Sequence, residues 1–92
     1  MKIRIKTFAQ IKDVLGADSL IECQDDTSMS ELLKVLRKRA GKSEDQLFSR
    51  DGELHGNLVL MMNGARVFKE DIDSLILSEG DEITLLSPVS GG

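Results

Sequence analysis

Ninety-two residues, 40% apolar and 30% charged, match one soluble globular domain. A chain this short buries about 60–65% of its unfolded surface, enough for one modest core but not for a deep enclosed active site as well. A formal charge of -4 disfavours nucleic acid as a partner, and the single cysteine, Cys23, excludes an internal disulfide, a four-thiolate cluster and a structural zinc site.

The N-terminal Met1-Lys2-Ile3-Arg4-Ile5-Lys6 alternates and carries no continuous apolar run, so neither a secretory signal nor a membrane span is expected. With one cysteine, this points to a reducing, cytoplasmic setting. The alternation from Lys2 to Phe8 predicts a half-buried strand with Ile3 and Ile5 on one face. Ala9 to Leu15 predicts a short helical turn stopped by Gly16. Ser19 to Cys23 reads as a second strand, and Asp25-Asp26-Thr27 as a turn.

Met29 to Ala40 carries the clearest helical pattern. Ser28 followed by Glu31 forms a capping box. Met29, Leu32, Leu33, Leu36 and Ala40 make one apolar stripe, and Gly41 ends it. Lys34, Arg37, Lys38 and Arg39 lie outside the stripe and favour the negative helix end.

Residues 42–57 are polar and irregular, pinned by Leu47 and Phe48, with a turn at Asp51-Gly52. Leu58 to Met62 predicts a strand apolar at every position, then Asn63-Gly64 a tight hairpin turn and Val67-Phe68 a short return. Leu75-Ile76-Leu77 leads to a turn at Glu79-Gly80-Asp81, and Glu82 to Leu86 is the last strand. The order strand, strand, helix, strand, short strand, strand implies an α+β fold. It is a mixed sheet with one main helix across one face and the first and last strands adjacent in its middle, a β-grasp.

Residues 1–86 then make the domain and residues 87–92 a slender flexible tail. Pro88 ends strand pairing and pushes Ser87 to an extended conformation. Six extended residues reach about 20 Å. Gly91 and Gly92 carry no Cβ, so they fit a slot too narrow for any side chain. A carboxylate there becomes an electrophile once adenylated. Sulfide, a thiol or an amine would then give a thiocarboxylate, a thioester or an amide. A bare terminal pair of glycines is also what a frayed end looks like.

The run Glu79-Gly80-Asp81-Glu82-Ile83-Thr84-Leu85-Leu86-Ser87-Pro88-Val89-Ser90-Gly91-Gly92 resembles the C-terminus of the MoaD/ThiS sulfur-carrier family, and Lys2 to Leu15 resembles its opening. The resemblance covers essentially the whole chain and implies a ubiquitin-like fold. It also implies adenylation of Gly92 by a ubiquitin-activating-like adenylyltransferase that consumes ATP, followed by thiocarboxylate formation. No cofactor is bound by the carrier itself, which is a protein cosubstrate rather than an enzyme. The sulfur goes to the molybdenum cofactor, through the molybdopterin synthase large subunit, or to tRNA. In small archaeal modifiers the same glycine joins target lysines. Ser87 stands where the molybdopterin subunit has a second proline, which leaves the acceptor open. The long segment 42–57 ranks a MoaD-like carrier or an archaeal-type modifier above a thiamine carrier. The competing class is a β-grasp interaction domain with an inert tail.

A strand covered by a helix on one face needs only alternate apolar residues. If Leu58, Leu60 and Met62 face the helix, Val59 and Met61 face outward, and Leu86 joins them from the last strand. With Pro88, Val89, Gly91 and Gly92, these residues form the expected partner surface, unless residues 42–57 cover it. Phe8 either joins this surface or packs in the core. His55 reads as a surface loop residue and Cys23 as a small buried hydrophobe, since Glu22, Gln24 and Asp25 do not favour a thiolate. Asp25-Asp26 and Glu70-Asp71 with Asp73 read as solvated turns rather than cation sites. A monomer when free, with neither nucleic acid nor membrane as partner, completes the expectation.

Overall fold

The computed structural model describes residues 1–87. Expectations for Pro88, Val89, Gly91 and Gly92 lie outside the described residues. Five strands form one mixed sheet: β1 (Lys2–Thr7), β2 (Ser19–Glu22), β3 (Val59–Met62), β4 (Ala65–Val67) and β5 (Glu82–Leu86). The spatial order is β2-β1-β5-β3-β4. β1 and β5 run parallel side by side, and the other pairs are antiparallel. The helices α1 (Gln10–Leu15) and α2 (Met29–Ala40) complete the α+β architecture, with α2 on one face of the sheet. This is the β-grasp topology that the element order implies.

Alternation fixes which side of each strand meets α2. Ile3, Ile5, Leu60, Ile83 and Leu85 are buried, and they pack with Met29, Leu32, Leu33 and Leu36 from the helix. Leu58 and Met62 pack against this core from its margin. The capping box is present in both directions. The Ser28 hydroxyl accepts the Glu31 backbone N–H at 3.1 Å, and the Glu31 carboxylate accepts the Ser28 backbone N–H at 3.1 Å. At the other end Gly41 donates its N–H to Lys38 with φ at 57°, where a Cβ would be strained.

Several boundaries differ from expectation. The first strand stops at Thr7 and the second at Glu22. Leu58 precedes β3, because its N–H closes a turn onto the His55 carbonyl at 3.0 Å. The return strand is Ala65–Val67, because Asn63-Gly64 is a two-residue turn that pairs Met62 directly with Ala65. The segment expected to be irregular begins with a 3-10 helix, Gly41–Gln46, and a second one, Lys69–Ser74, follows Phe68. Leu47 and Phe48 are buried as expected, with Phe48 bridging Leu54. This segment packs beside α2, where Arg37 donates to Glu44 at 2.9 Å.

Candidate functional site: the open sheet face and the end of the last strand

The last described residues, Glu82 to Ser87, are positioned by the pairing of β5. Asp81 and Asn63 lock its entry. The Asn63 amide donates to the Asp81 carboxylate at 2.9 Å and accepts the Glu82 backbone N–H at 2.9 Å. The Asp81 carboxylate also accepts the Ser78 N–H at 2.7 Å. Gly80, at φ 82°, makes the turn and donates its N–H to the Lys2 carbonyl at 2.9 Å. From that fixed start β5 runs between β1 and β3, with Leu85 opposite Thr7 and Leu86 opposite Val59. Ser87 therefore lies at the end of the sheet formed by the close of β1 and the start of β3.

The register also sets what surrounds that end on the side away from α2. Val59 and Leu86 are partners, as are Met61 and Thr84, and all four are half-buried. Continuing the β1–β5 register by one residue sets Phe8 beside Leu86. Continuing β3–β4 by one sets Phe68 beside Val59. Phe8 is 49% exposed and Phe68 is 51% exposed. One row at that end thus reads Phe68, Val59, Leu86, Phe8. The structure brings together the four expected residues Phe8, Val59, Met61 and Leu86. Phe8 lies on the open face rather than in the core. The apolar surface is shallower than expected at Val59, Met61 and Leu86, because neighbouring strands cover their flanks.

Phe68 is the residue that sequence reasoning missed. Its own segment predicts a short return strand without a facing, and only the hairpin register places it. The Arg66 guanidinium sits over its ring, 5.2 Å from the centroid. Residues 42–57 pack beside α2 and leave this face open.

The other titratable groups are engaged structurally. His55, in the tautomer with hydrogen on Nε2, donates to the Asp45 carbonyl at 2.7 Å. Burial pushes the Cys23 thiol up, outweighing the nearby N-terminal ammonium, so the thiolate is disfavoured. A groove of about 540 Å³ runs along the β4 edge between α2 and residues 51–58, lined by Leu33, Leu58, Val67 and Ile72, with Arg66 and Phe68 where that edge meets the open face. Its rim is closed by Lys69 and Glu53 at 2.6 Å, and that carboxylate raises the lysine's pKa by hydrogen bonding. Among the described residues, no group of three or more His, Cys, Asp or Glu is placed to hold a metal ion, and no helix is long and apolar enough to cross a membrane. The candidate site is the open face beside the end of β5.

Comparison with known proteins agrees with this fold. Small archaeal modifier protein 3 of Haloferax volcanii is 27% identical over 93 residues, spanning 100% of each chain. The crystal structure of SAMP1 from Haloferax volcanii superposes with a TM-score of 0.84 at 27% identity, covering 100% of each chain. The complex of subunits 1 and 2 of molybdopterin-converting factor from Helicobacter pylori contains a chain of the same fold, with a TM-score of 0.67, 22% identity and 100% coverage of each chain. The ThiS family model matches residues 5–92. The chain belongs to the ThiS family, the ubiquitin-like sulfur carriers and modifiers.

Proposed function

We propose that this chain is a protein cosubstrate whose reactive group is the Gly92 carboxylate, held on a tail of residues 87–92 that extends from a domain of residues 1–86. A ubiquitin-activating-type adenylyltransferase joins that carboxylate to AMP, and ATP loses pyrophosphate. Sulfide then attacks the acyl carbon and AMP leaves, giving a thiocarboxylate. If a target lysine amine attacks instead, the product is an isopeptide and AMP is again the leaving group. The sulfur would serve molybdenum-cofactor assembly or tRNA thiolation. The carrier needs no cofactor of its own, since ATP is consumed by its partner.

The observation that carries this reading is the β5 register. It holds Ser87, where the segment leading to Gly91-Gly92 begins, at a fixed point beside exposed Phe8 and half-buried Leu86 and Val59. An exposed apolar surface on a small protein marks a partner site. This one adjoins the end of β5, where an activating enzyme would grip. Family membership and relatives named as small archaeal modifier proteins support the same chemistry. The molybdopterin-converting complex offers a fold-level parallel for a large-subunit partner.

The experiment is ATP–pyrophosphate exchange with a purified adenylyltransferase from the same organism. The intact chain should support exchange, and a chain lacking Gly91 and Gly92 should support none. Equal exchange from both chains would leave a β-grasp interaction domain with an inert tail as the better description.

A further inference from the structure

We infer that the open face carries an electrostatic selector behind its apolar row: Lys6 and Arg66 fit a protein partner that offers carboxylates on both sides of an apolar contact. The inference rests on the proposed activation and names the chemistry of the docking partner.

The register places the selector. Arg66 pairs with Met61, Met61 with Thr84, and Thr84 with Lys6, so these four make one row across β4, β3, β5 and β1. The row's centre is uncharged and half-buried, and both ends are cations. It lies one row behind Val59 and Leu86, further from the end of β5. Carboxylates on this face are few. Glu22 lies opposite Lys2, and Glu82 lies opposite Arg4. Glu82 is also 3.8 Å from Lys6, so one carboxylate sits between two cations. Among the described residues Arg66 has no carboxylate within ion-pair distance and rests on the Phe68 ring instead.

The face therefore presents four cations against two carboxylates on a chain whose formal charge is -4. That local inversion gives the approach a direction. A partner with acidic groups flanking an apolar centre fits this face, whereas the other basic surface, Lys34, Lys38 and Arg39, lies on α2, which carries no aromatic side chain. The apolar row favours a protein over a nucleic acid, because a phosphate backbone offers nothing for Phe8, Val59 and Leu86 to bury against.

The test separates docking from chemistry. Calorimetric titration of the purified adenylyltransferase with a chain lacking Gly91 and Gly92 reads docking alone. The double variant Lys6→Glu/Arg66→Glu in that background should weaken Kd roughly tenfold at low salt, as reversing two rim charges does. Lys6→Arg/Arg66→Lys should restore it, and wild-type binding should weaken with added salt more steeply than the variant's. In the full chain, pyrophosphate exchange should show KM for the carrier raised by the same factor, with kcat unchanged. Melting curves check that the variants fold, and Lys6→Gln/Arg66→Gln replaces any that does not. An unchanged Kd at low salt overturns the inference, as does a fall in kcat alone. Loss of bulk tRNA binding with an unchanged Kd for the enzyme also overturns it and reassigns the cations to RNA. Absence of exchange from an intact chain that still binds sinks the activation reading, while the charge dependence of Kd still decides the selector.

Discussion

Leu86 is the last residue of β5 and the neighbour of both Val59 and, by register, Phe8. It is half-buried, so it contributes little to the core that Ile83 and Leu85 build on the opposite side. Leu86→Asp should therefore leave cooperative melting in place while lowering activation at least about 30-fold, the effect of a central interface contact. ATP–pyrophosphate exchange at fixed carrier concentration reads it. Undiminished exchange would show that the activating enzyme docks elsewhere. Side-chain facing was legible for Leu86, because Glu82 and Thr84 mark its face of β5 as the polar one, whereas Val59 and Met61 sit in a strand apolar at every position, and only their pairing with Leu86 and Thr84 decides between the two parities. Phe8 was undecided in the sequence, since it lies just past Thr7 before a turn in which Ala9 takes φ 54°. Phe68 was not legible, because its neighbour Val59 is set by the Asn63-Gly64 hairpin register and not by anything within its own segment.

Helix α2 and strand β5 carry the fold, and each is held by a local device. For α2 the device is the reciprocal Ser28–Glu31 pair. Ser28→Ala should cost about 1 kcal/mol, or about 4–8 °C in melting temperature for a domain of this size. The hydrogen bonds from the Ser28 backbone and hydroxyl hold the Glu31 carboxyl below its ordinary value. A lowered folded value means this stabilisation is complete above the ordinary carboxylate range and is lost as pH falls through the lowered value. The difference between wild type and Ser28→Ala should accordingly shrink in acid. A constant difference by thermal melts across that range would contradict the assignment. The helix was legible because capping box, apolar stripe and Gly41 agree. The two 3-10 helices, Gly41–Gln46 and Lys69–Ser74, were not, since neither buries a residue and so neither imprints a period on its sequence.

At the scale of the molecule, one side of the sheet is covered by α2 and by residues 41–58 beside it. The other side stays open, and β5 ends at its margin. A parallel β1–β5 pair at the centre requires a long connection between the two strands, and the elements on that path supply α2, β3 and β4. The topology was legible because two strands precede α2, the one long helix among the described residues, and the rest follow it. The tail was read from Pro88 and Gly91-Gly92 in the sequence. The central claim is that the terminal carboxylate becomes an acyl donor, and intact-mass spectrometry after incubation with adenylyltransferase, ATP and sulfide tests it most directly. The account predicts a gain of about 16 Da, sulfur for oxygen, located at Gly92 by fragmentation, or an isopeptide from Gly92 to a lysine where a target protein is present. An unchanged mass under conditions where a known ThiS-family carrier is converted by its own enzyme would contradict it.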